Sequence, residues 1–183
     1  MGYTVLLIAV FVLGWVVFAY NRLVRLKVRA TAAWRDIDTQ LQRRWDLIPA
    51  LVETVRGYAV HEQEAFSRVT EARSRAIAAV SPPEQAIAEK GLKAALGSLF
   101  AVVEGYPVLR ADEGFVELQR TLEEVEDTVQ RSRRYYNAVV RDLNSLIEVF
   151  PSTIVARVFR FERREFYLLP GEEVREPSRV SLR

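Results

Sequence analysis

From Tyr3 to Tyr20 no position is charged and eleven are Val, Leu, Ile or Phe. Such a run fits a helix that is apolar on every side. At the helical rise it extends for about 27 Å, one hydrocarbon thickness, and its eleven large apolar residues together favour the bilayer by roughly 3 to 6 kcal/mol. A cleaved signal peptide is the alternative, but Phe18-Ala19-Tyr20-Asn21 lacks a small-residue cleavage pattern and no basic side chain precedes the run. The expectation is therefore a retained transmembrane anchor over residues 1–21.

Beyond the run, apolar residues recur three and four apart. Trp34, Ile37, Leu41, Arg44, Ile48, Leu51, Val55, Tyr58, Glu62, Ala65, Val69, Ala72, Ala76 and Ala79 follow this spacing, twelve of the fourteen being apolar. The spacing predicts one long helix, kinked at Pro49 and weak at Gly57. Ser81-Pro82-Pro83-Glu84 ends it and reads as a capping box for a second helix, through Ile87, Leu92, Leu96 and Leu99 to Gly105. A third helix follows, with Phe115, Leu118, Leu122, Val125, Val129, Ser132, Tyr136, Val139, Leu143, Leu146 and Phe150 in strict alternation up to Pro151. Its length, about 58 Å, greatly exceeds the globular average and points to an elongated antiparallel bundle.

The predicted fold class is all-α. Residues 22–169 form the bundle, with an apolar segment from Ile154 to Leu169, and the polar, Pro- and Gly-punctuated residues 170–183 form a disordered tail. If the three helices lead out, back and out again, Phe150 ends far from the bilayer. There the apolar segment either caps its own bundle or docks on a neighbour.

Charge adds an orientation. Arg22, Arg25, Lys27 and Arg29 follow the run with no acidic residue among them, and such clusters stay cytoplasmic. The amino terminus is therefore expected outside and the main domain inside, with these four cations on anionic lipid head groups at about 1 kcal/mol each. Over the whole chain, 26 Lys and Arg face 24 Asp and Glu, a balance without the footprint of a nucleic-acid binder.

Catalytic chemistry finds few candidates. The chain has no cysteine and one histidine, so neither thiolate sites nor a His-rich metal centre is expected. His61-Glu62 begins like H-E-x-x-H, but Ala65 stands where the second histidine belongs. The acidic run Glu123, Glu124, Glu126 and Asp127 reads as a solvated face. No catalytic residue, cofactor or metal is expected. Arg44 and Glu62 are distinctive because each puts a charge in the apolar seam, where it must reach water or find a partner. Either they snorkel at the bundle edge or they set helix register and subunit pairing.

Ala33-Trp34, Ile37-Asp38, Gln40-Leu41, Arg43-Arg44, Asp46-Leu47-Ile48-Pro49, Leu51-Val52-Glu53, Gly57-Tyr58-Ala59 and His61-Glu62 together resemble the LemA family of bacterial membrane proteins. Tyr106-Pro107, Leu118-Gln119, Tyr136-Asn137, Asn144 and Phe150-Pro151-Ser152 agree with it, while Trp45, Ala50 and Leu143 depart from the usual residues. The resemblance implies an amino-terminal transmembrane helix bearing a cytoplasmic helical bundle in the bacterial inner membrane, with no established catalytic activity.

Pattern and resemblance together lead to the expectation of a non-enzymatic scaffold that self-associates to organise or curve the membrane. Arg44, Glu62, Val155, Val158, Phe159 and Phe166 are its candidate oligomer contacts. The rival is an anchored adaptor or regulator of another membrane protein, such as a protease or signalling kinase.

Overall fold

A computed structural model describes residues 2–168; the expected tail from residue 170 lies outside them. The described fold is all-α, with six helices: α1 (Gly2–Tyr58), α2 (Gln63–Ala78), α3 (Pro82–Val103), the single turn α4 (Pro107–Arg110), α5 (Glu113–Glu148) and the short α6 (Ser152–Val158). The described residues divide into two compact units, 2–48 with 117–166 and 49–116 with 167–168.

In the first unit α1 and α5 run antiparallel. The rings of Trp34 and Tyr136 meet at a tilt with centroids 5.4 Å apart, and Arg44 pairs with Glu126. As numbering rises along α1 it falls along α5. On α1 the buried seam runs through Ala19, Leu23, Ala30, Ala33, Ile37, Leu41 and Ile48, the spacing that keeps one helical stripe against its neighbour. It begins well before Trp34, inside the apolar run itself. On α5 the alternation places Leu122, Val125, Val129, Tyr136, Val139 and Leu143 in the core.

In the second unit α2 packs on α3. The Ser81 side chain accepts the Glu84 N–H, and the Glu84 carboxylate accepts from the N–H groups of Val80 and Ser81, completing the capping box. Those backbone bonds hold the Glu84 carboxyl below its ordinary pKa. A lowered folded pKa means that the stabilisation is present above the unfolded pKa and disappears as pH falls through the folded one. Ser81→Ala is expected to cost about 1 kcal/mol in thermal unfolding at neutral pH, and Glu84→Gln to blunt the acid sensitivity of that melt. The core face of α3 carries Gln85, Ala86, Glu89, Leu92, Leu96, Leu99 and Val103; Ile87, expected in the seam, is exposed instead. Gln85 is accommodated because its Nε2 donates to the carbonyl of Ala76, near the end of α2.

Two expectations need correction. The long helix predicted from Trp34 to Ala79 is two helices, α1 and α2, separated by Ala59–Glu62. Helix α1 continues past Pro49, which lies on the exposed face, and stops one residue after Gly57. There the Gln63 Nε2 takes the Val60 carbonyl. The turn keeps Val55, Ala59, Ala65 and Val69 near the three-four phase, so periodicity alone does not reveal it. The direction of α5 is the second correction: within the first unit it returns along α1, so Phe150 ends beside the apolar run instead of far from it.

Candidate functional site

The features that set this chain apart meet where the apolar run ends. Residues 2–14 of α1 are exposed on every side, and burial begins only with the half-covered Trp15 and Val16. An apolar helix that the fold leaves uncovered is one that lipid covers. Among the described residues, α1 is the one helix suited by length and composition to a single membrane crossing.

At Tyr20 the carboxy-terminal segment arrives. The Phe159 ring lies 4.7 Å and the Phe161 ring 5.8 Å from the Tyr20 ring. The corner that delivers them is built from local hydrogen bonds. Ser152 Oγ lies 2.7 Å from the carbonyl oxygen of Leu146 and 2.9 Å from that of Val149, so its hydroxyl closes the end of α5. This gives the Phe150-Pro151-Ser152 motif a physical role. Helix α6 then ends in a Schellman arrangement, the Phe161 N–H donating to Ala156 and the Arg160 N–H to Arg157. Arg160 occupies the left-handed position of that motif at φ 55°, which glycine adopts without steric cost and other residues do not. Arg160→Gly is therefore expected to raise stability by about 1 kcal/mol, read as an increase in Tm.

From Phe161 the chain runs as a strap along α1 and α5. Asn144 holds it twice: its Nδ2 donates to the Arg164 carbonyl at 2.8 Å, and its Oδ1 accepts the Arg164 N–H at 2.9 Å. Tyr136 donates its hydroxyl to the Glu165 carbonyl at 2.8 Å, and burial raises the pKa of that phenol. Arg164 donates to Thr31 Oγ1 at 2.7 Å, while Thr31 itself donates to the Lys27 carbonyl. Between strap and helices lies a cleft of about 170 Å³ lined by Lys27 and Leu143 from the helices and by residues 160–164, four of its side chains basic and one, Glu162, acidic.

The sequence-predicted residues fall around this corner unequally. Arg22, Arg25, Lys27 and Arg29 are all exposed, with Lys27 Nζ 5.9 Å from the Phe161 ring centroid. Val155 is buried and Phe166 half-buried, whereas Val158 is 69% and Phe159 50% exposed. Arg44 lies elsewhere, in the core, where it meets Glu126 at 2.9 Å. Glu126 is thus drawn out of the acidic run expected to be a solvated face. Glu62 is the amino-terminal flanking residue of α2, half-buried, its carbonyl accepting from Ala65 and Phe66. His61 is exposed in the turn before it. The strap residues were missed because an uncharged Asn in a helical seam gives no signal of which backbone it will hold.

Comparison with known proteins agrees with this picture. The magnetosome protein MamQ 2 of Paramagnetospirillum magneticum is 26% identical over 174 residues, covering 81% of this chain and 64% of the relative. MamQ of Magnetospirillum gryphiswaldense is 26% identical over 194 residues, covering 88% and 71%. Protein LemA of Metamycoplasma hominis is 26% identical over 141 residues, covering 75% and 63%. The chain therefore spans a little under two thirds of two of these relatives. Residues 33–182 match the LemA family as a whole, nearly everything beyond the apolar run, and the chain belongs to that family.

Proposed function

We propose that this protein is a non-enzymatic membrane scaffold whose copies associate with one another to organise or curve a bacterial inner membrane, the amino terminus outside and the bundle in the cytoplasm. The observation that carries the reading is the continuity of α1, which passes from the apolar run into the bundle core with no linker at Tyr20. A bundle joined in this way has a fixed presentation at the surface, and the anchor concentrates copies in two dimensions so that weak lateral contacts suffice. The similarity to magnetosome proteins supports a role in membrane organisation, and the absence of cysteine together with the lone histidine supports a non-catalytic one.

Full-length protein in mild detergent and in lipid is expected to form large homo-oligomers on mass photometry or electron microscopy, and a chain lacking residues 1–21 to stay small. A monomer under every one of these conditions would sink the scaffold and favour the adaptor. Orientation is checked separately. A reporter active only in the cytoplasm should work when fused after Arg183, whereas activity from a periplasmic reporter at that site would reverse the topology.

A further inference from the structure

We infer that the corner between α5 and α6, residues 149–161, is a second membrane contact. It lies in the headgroup zone of the leaflet from which α1 emerges, with Phe150, Ile154, Val158 and Phe159 at the acyl boundary and neighbouring cations on lipid phosphates. The inference rests on the single-span reading of α1 and adds a surface to it.

Position is the first argument. The Phe159 ring packs at a tilt against Tyr20, the last residue of the apolar run, so the corner sits at the depth where the helix exits. The antiparallel pairing agrees: Trp34 faces Tyr136 and Arg44 faces Glu126, and the same register carried down the two helices sets Phe150 opposite Tyr20. Burial on α1 starts at Trp15, so covered surface reaches about 7.5 Å into the run at the helical rise. That matches the roughly 5 to 10 Å to which interfacial elements sink their apolar face.

Composition is the second argument. Helix α6 turns Val155 and Ala156 inward and leaves Ile154 and Val158 outside, with Val149, Phe150 and Phe159 exposed at its two ends. Such a cluster is costly in water, and at this depth lipid is the surface available to cover it. The exposed Arg157 and Arg160 border it, with Arg163 held by Glu148 at 2.8 Å, and the adjoining cleft sets Lys27, Arg160, Arg163 and Arg164 against the single acid Glu162. Apolar residues flanked by guanidinium groups are the composition that binds anionic bilayers, the aliphatic part sinking while the charge reaches phosphate. The left-handed Arg160 fits the same reading. A position where glycine costs less holds a cation at the edge of the cleft.

The protein has no cysteine, so a single introduced thiol reports one place. Full-length chains carrying Val158→Cys or Phe150→Cys, labelled with an environment-sensitive fluorophore, are reconstituted in nanodiscs of phosphatidylcholine and phosphatidylglycerol. Phe11→Cys in the apolar run and Asp127→Cys, exposed on α5 beside the Arg44–Glu126 pair of the same unit, serve as references. Labels at 158 and 150 should shift to the blue and lose emission to a lipid-borne quencher, as at 11, while the label at 127 responds only to an aqueous one. Aqueous quenching at 158 and 150 with lipid quenching at 11 would overturn the second contact and leave the anchor standing. Protection from both quenchers at 158 and 150 would also overturn it, in favour of a second copy of the chain. Aqueous quenching at 11 would remove the single-span reading itself.

Discussion

Replacing Asn144 with Ala should release the strap of residues 161–166 and cost about 2 to 4 kcal/mol, since a single side chain supplies both a donor and an acceptor to the backbone of Arg164. Each backbone group left without a partner carries a penalty of about 1 to 3 kcal/mol if it stays buried, and detachment of the strap into water caps the total. The measurable signs are a lower midpoint in chemical denaturation and faster tryptic cleavage at Arg160, Arg163 and Arg164. Asn144→Asp should behave almost as badly, because a carboxylate cannot donate to the Arg164 carbonyl and repels it. Unchanged protease resistance in both variants would mean that the strap is held chiefly by its aromatic contacts at Tyr20.

The second large effect lies at Arg44. Its side chain is 7% exposed against 21% for Glu126, so the pair is mostly out of water and opens at the carboxylate side. Removing one partner of a buried pair strips the other of its main counterion out of reach of bulk water, typically at about 3 to 5 kcal/mol. With Glu126 partly solvated, Glu126→Ala is expected near the lower bound, about 3 kcal/mol. The double variant Arg44→Met, Glu126→Leu should recover most of that loss, because apolar residues of similar size fill the seam without desolvating charge. A double-mutant cycle separates the cases. A cost below about 1 kcal/mol for Glu126→Ala would assign the pair the small value of a surface ion pair.

The two sites differ in what the sequence discloses. The seam of α5 is legible because an uninterrupted three-four alternation has one structural solution, and the capping box at Ser81 is legible because both of its bonds are local. Arg44 is visible as a charge in the seam, yet its partner is not. Glu126 sits among three other acids, and only the register of α1 against α5 selects it. That register depends on the direction of α5 along α1, which three-four periodicity does not carry. The antiparallel pairing puts the α5–α6 corner at the exit of the apolar run, where the expectation of three helices leading out, back and out had put it far away. The fold class is insensitive to that difference because it depends on helix content alone. The location of a site depends on which helices pair and in which direction.

The first unit joins residues 2–48 to residues 117–166, and this has a consequence for biosynthesis. When α1 leaves the ribosome its seam from Ala19 to Ile48 lacks its α5 neighbours, which arrive from the Ile48 end towards Ala19 as α5 is translated. The contact between Tyr20 and Phe159 joins residues far apart in sequence, so it closes late, with the large loop entropy of such a separation. The part of the α1 seam next to the apolar run therefore waits longest for its neighbours, and a chain cut short before Phe159 lacks the contact that closes the first unit at the exit of that run.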